Sequence, residues 1–130
     1  MLSKVILRPS IIGVVALAAT LTALPARAQR MSFDGPWSVL IYGDQGSCVG
    51  MTYRYGVQIA NGQVFSESSG ADLFGRVTPR GQVNVRVRQG NQEAVGSGRL
   101  TRASGSGRWN GASAGQQCTG HWIAERRANY

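Results

Sequence analysis

Met51-Thr52-Tyr53-Arg54-Tyr55-Gly56-Val57-Gln58-Ile59 alternates strictly, with Met51, Tyr53, Tyr55, Val57 and Ile59 on one side and Thr52, Arg54, Gly56 and Gln58 on the other. Successive side chains of an extended chain point to opposite faces, so a period of two marks a half-buried β-strand. Ala60 then leads into Asn61-Gly62, a pair suited to positive φ at both central positions of a tight hairpin, and residues 63–66 return as its second strand. The same grammar extends outward in both directions. Residues 72–77 form the next strand. Thr78-Pro79-Arg80-Gly81 is a turn with Pro second and Gly fourth. Val83, Val85 and Val87 alternate with Asn84, Arg86 and Arg88 before Gly90-Asn91 turns the chain again. Residues 93–101, 106–112 and 118–127 complete the series, and 37–42 stand at its front. No window of helical period competes.

About eight short strands with tight connections predict an all-β domain, a small antiparallel up-and-down β-barrel, with a β-sandwich as the alternative. Closure is favoured because it removes edge strands. Short echoes support a meander of similar hairpins: Gly62-Gln63-Val64 returns as Gly81-Gln82-Val83, and Gly96-Ser97-Gly98-Arg99-Leu100 as Gly105-Ser106-Gly107-Arg108-Trp109. Gly-x-Trp occurs at Gly35, Gly107 and Gly120, which predicts a core built around three indoles, each needing a partner for its N–H.

The first 28 of the 130 residues read differently. Lys4 and Arg8 precede the apolar run 11–24, and Pro25-Ala26-Arg27-Ala28 places small residues at −3 and −1 of a cut before Gln29. That is the layout of a secretory signal peptide, and the run is short for a membrane span. The expected mature chain, 29–130, is one domain, periplasmic or secreted and not membrane-spanning after cleavage. In an oxidising compartment Cys48 and Cys118 read as a disulfide.

The chain carries 14 Lys plus Arg against 6 acids. Lys4, Arg8 and Arg27 belong to the leader, so the remaining cations are all Arg. Arg54, Arg86, Arg88, Arg99 and Arg108 fall on the faces opposite the expected core, and Arg86, Arg88, Arg99 and Arg108 are expected to share one outer wall as a ligand-binding surface. Guanidinium forks suit carboxylate and phosphate, so the expected partner is an anionic envelope polysaccharide or lipopolysaccharide; export disfavours nucleic acid.

Phe33-Asp34-Gly35-Pro36-Trp37-Ser38-Val39, Tyr53-Arg54-Tyr55, Gly107-Arg108-Trp109-Asn110-Gly111 and the segment from Cys118 to Arg127 resemble a family of small exported, mostly uncharacterised proteins of Gram-negative bacteria. The resemblance spans the mature chain, and some members carry labels mentioning haem utilisation or adhesion. The Gly-x-Trp opening is distantly similar to lipocalin- and avidin-like barrels.

Neither nucleophile-elbow, zincin nor phosphate-loop patterns occur, so no catalytic residues are assigned and a non-enzymatic protein is expected. His121 should face solvent opposite Trp122, so no metal ligand and no cofactor is expected. Asp34 reads as a turn residue capping local amides. The functional expectation is a binding module for an envelope or extracellular ligand, either an anionic glycan or a small molecule. The alternative is a secreted protein-interaction module, such as an inhibitor or an adhesion or haem-utilisation accessory, acting through loops at 43–50 and 112–117. An interior cavity lined by Tyr53, Tyr55, Trp109 and Trp122 would favour a small ligand.

Overall fold

The structure is a computed structural model that describes Gly13 and residues 32–128. Apart from Gly13, the expected leader, its expected cleavage site and Met31 lie outside the described residues. Eight strands follow one another without a helix among the described residues: β1 (Gly35–Gly46), β2 (Thr52–Ala60), β3 (Gln63–Ser66), β4 (Asp72–Val77), β5 (Gln82–Gln89), β6 (Gln92–Leu100), β7 (Ser104–Ser113) and β8 (Gln116–Arg126). Each pairs antiparallel with its neighbours, and β1 pairs with β8, so the meander closes into an up-and-down barrel. The sandwich alternative is excluded.

Turn chemistry sets the register. Asn61 and Gly62 adopt φ of 52° and 77°, the conformation that joins β2 and β3 in step with sheet twist. Thr78 accepts from the Gly81 N–H at 2.8 Å in the expected Pro turn. Two loop expectations are corrected. Residues 112–117 are mostly strand: Ala112 pairs with Gln117 and Ser113 with Gln116, leaving only Ala114-Gly115 as a two-residue turn. Likewise β1 runs to Gly46, kinked by a bulge between Gly43 and Gln45, so the loop there is shorter than 43–50.

Inward side chains fill one end of the barrel and not the other. Phe33, Trp37, Ile59, Val83, Leu100, Trp122 and Ala124 are among the buried core residues. Trp37 is only 1% exposed. Gly98 and Gly107 make room for Trp122, since a Cβ on Gly107 would come within 2.6 Å of its ring. All three indole N–H groups find carbonyls: Trp37 donates to Phe33 O (2.8 Å), Trp109 to Tyr42 O (3.0 Å) and Trp122 to Ser97 O (3.2 Å). Below the core, Arg126 lies 5.4 Å from the Trp37 ring centroid and donates to the carbonyls of Ser32, Asp34 and Arg102, tying the β6–β7 connection to the segment before β1. Asp34 does not cap local amides: its Oδ2 accepts from the N–H of Asn61 at 3.1 Å, holding the β2–β3 hairpin across the barrel's end.

Candidate functional site

Toward the other end Gly43, Ala94, Gly96 and Gly111 alternate with larger inward residues, and the side chains no longer fill the lumen. A cavity of about 660 Å³ remains inside the barrel, and Tyr53, Tyr55, Trp109 and Trp122 all line it, as the small-ligand expectation required. Its walls are apolar, supplied by side chains such as Val39, Ile41, Leu73 and Val85, which are only partly buried against the core. Polar groups gather at the mouth, where Ser47, Gln89, Gln92, Ser113 and Gln116 line the opening. No Arg lines the cavity. Tyr53 and Tyr55 project inward from β2 with ring centroids 6.4 Å apart. The indoles are committed to backbone carbonyls, so the walls offer a guest rings and methyl groups more than hydrogen bonds.

The mouth is braced by chemistry that the sequence announced. Cys48 and Cys118 form a disulfide with Cα atoms 5.7 Å apart, joining the β1–β2 connection to β8 across the closing seam. Ser47 N–H donates to Gln117 O at 3.2 Å beside it. The bridge is compatible with an oxidising extracellular or periplasmic location.

The outer wall carries the arginines. Arg86 and Arg88 on β5, Arg99 on β6 and Arg108 on β7 all point outward, on three consecutive strands. They are not equivalent. Glu93 sits between Arg86 (3.6 Å) and Arg88 (3.9 Å), a pairing that alternation alone did not disclose. Arg108 lies opposite Ser97 on one side and His121 on the other. Arg76, on the outward face of β4 opposite Asn84, joins the same wall.

His121 faces outward as expected, yet it is not isolated. Its Nδ1 lies 2.7 Å from Asp44 Oδ2, and its ring stacks on Tyr42 with centroids 4.6 Å apart. Near the other end of β1 and β2, Glu67 accepts from Arg127 (2.6 Å) and Gln58 (2.7 Å), and these donors, Arg127 foremost, hold its carboxyl below the usual range.

Two exposed rings were not singled out from the sequence. Phe65 is 48% and Phe74 67% exposed. The signal was present: Phe74 alternates with Leu73 and Val77, which face inward. Pairing between β3 and β4 stops at Val64↔Gly75, one step short of setting Phe65 opposite Phe74.

Fold and cavity together define an eight-stranded up-and-down barrel, filled at one end and hollow at the other, in which a calyx is the most developed internal site. No family model matches the chain, and none of the curated proteins or solved structures compared with it matches.

Proposed function

We propose that this protein is a non-enzymatic binding module whose calyx takes a small, uncharged, mostly apolar molecule. The observation that carries the reading is the apolar cavity of about 660 Å³, a size typical of small-molecule sites. An anionic guest would shed its hydration inside walls that hold no cation to pair with it, and Glu93 at the rim adds a like charge, so the polar end of a guest belongs at the Gln and Ser rim. Titration with N-phenyl-1-naphthylamine, an uncharged fluorescent apolar probe, should give saturable one-to-one binding. Ala94 faces the cavity, and Ala94→Phe should narrow it and weaken that binding while the protein stays folded. Equal binding by both proteins, or none by either, overturns the reading.

A second reading rests on a different observation, the lopsided charge. The described residues hold ten Arg and six acids, an excess of four. The outward faces of β4–β7 carry Arg76, Arg86, Arg88, Arg99 and Arg108 against Asp72 and Glu93, an excess of three. Such a face attracts an anionic envelope polymer, and its binding should weaken as salt shortens the Debye length below about 10 Å.

A further inference from the structure

The outer wall is not a featureless basic face. A surface groove of about 1160 Å³ runs across it, lined by residues of every strand from β3 to β8. Phe65, Phe74, Arg76 and Arg86 line one end, and Arg108 and Asn110 the other. Between them the groove passes over short polar side chains, Asn84 and Ser97, which face each other across β5 and β6. Arg88 and Arg99 do not line it. Five strand spacings of about 4.8 Å make the groove roughly 24 Å long along the wall, room for several units of an extended polymer.

We infer that this groove is a binding site for an acidic polysaccharide chain lying across the strands, an inference that rests on the basic-wall reading. Each class of lining residue matches one part of such a chain. The guanidinium groups of Arg76, Arg86 and Arg108 fork the carboxylates or phosphates. Asn84, Ser97 and Asn110 supply the donors and acceptors that ring hydroxyls require. The exposed faces of Phe74 and Phe65 offer a platform for the apolar C–H face of a sugar. Other occupants fit less well. A bilayer calls for a contiguous apolar surface, and here amides and hydroxyls occupy the middle of the site. A second copy would bring two faces of like charge together. A charge-only polyanion leaves the two rings without a role. The Cys48–Cys118 bridge is compatible with an oxidising compartment, which selects acidic polysaccharide over nucleic acid.

The test is titration of the folded protein with polygalacturonate oligomers, with inorganic polyphosphate, neutral dextran and a thymidine oligonucleotide as comparison probes. Wild type should bind polygalacturonate and not dextran. Arg76→Gln, Arg86→Gln and Arg108→Gln combined should weaken binding by about tenfold or more. Phe74→Ser should weaken it by roughly fivefold and leave polyphosphate binding unchanged, while Phe74→Trp should retain it and add a fluorescence signal that responds to the sugar. Arg88→Gln with Arg99→Gln, outside the groove, should weaken it less than the groove changes do, and that smaller loss should vanish at moderate salt. If Phe74→Ser has no effect while all arginine changes weaken binding alike, the groove assignment falls and the basic wall stands. If wild type binds no polyanion at low salt, both fall. If the oligonucleotide binds more tightly than the sugar and loses as much on Phe74→Ser, the polysaccharide assignment is overturned.

Discussion

At the filled end of the barrel, the groups that enter are answered at once: the Trp37 indole by Phe33 O, the Arg126 guanidinium by three carbonyls and an aromatic face, and Asp34 by the Asn61 amide. At the hollow end, inward rings and methyl groups face a cavity, and one covalent bridge holds the rim. Both ends are built from the same alternating strands. The difference lies in how closely the inward side chains pack: Trp37, Leu100 and Trp122 are buried together at one end, whereas Ala94, Gly96, Gly111 and half-exposed Tyr53 leave open space among Ile41, Leu73, Val85 and Trp109 at the other. Close packing and open volume thereby fall at opposite ends of one sheet.

Truncation should expose that division most strongly. Trp37→Ala leaves an indole-sized void in the filled end and should cost about 3–5 kcal/mol, read from denaturant unfolding midpoints. Tyr53→Ala, at the rim, should cost about 1 kcal/mol or less. Comparable losses from the two would mean that the hollow end is structural after all.

The bridge comes next. It closes a separation of 70 residues, for which chain entropy gives at most about 4 kcal/mol. Cys118→Ser should lower the melting temperature. Amide exchange should accelerate more in the β1–β2 connection than around Phe33 and Trp37, which sharpens the contrast between the ends. Uniform acceleration would show instead that the bridge braces the whole barrel.

The smallest expected effect concerns Glu67, which fastens the end of β3 to β2 and to Arg127 on the outside of the barrel. Its carboxyl titrates below the ordinary value of 4.5 in the folded protein, so its contribution is present above that value. The contribution fades as pH falls through the lowered folded pKa. Melting curves of wild type and Glu67→Gln should therefore differ slightly at pH 7 and converge as pH falls through that lowered pKa. A gap that widens in acid would contradict the assigned direction.

Much of this was legible from residue types alone, because a period of two states which side chains turn inward. It placed Val83, Val85 and Val87 inside, Arg86 and Arg88 outside, and His121 opposite Trp122. The Cys48–Cys118 bridge was legible from a different signal, two cysteines in a chain expected to reach an oxidising compartment. Alternation does not state how far inward side chains reach across the lumen, so a packed core and a calyx share one pattern. Nor does it show which outward residues on different strands stand level. That depends on register, which is why Glu93 between Arg86 and Arg88, and the groove joining Phe74 to Arg108, emerged only with the pairing in hand. Asp34 was misplaced for the same reason: its partner is 27 residues away.

The seam between β1 and β8 has a consequence for how the chain comes into being. β1 finds β2 within a few residues, but its other edge waits for β8, whose partners lie some 80 positions later. While the chain emerges from its N-terminus, that edge is bare, a row of unpaired amides open to any passing strand. The barrel is thus completed by its last-made piece, and its earliest strand remains vulnerable for nearly the whole of its own synthesis.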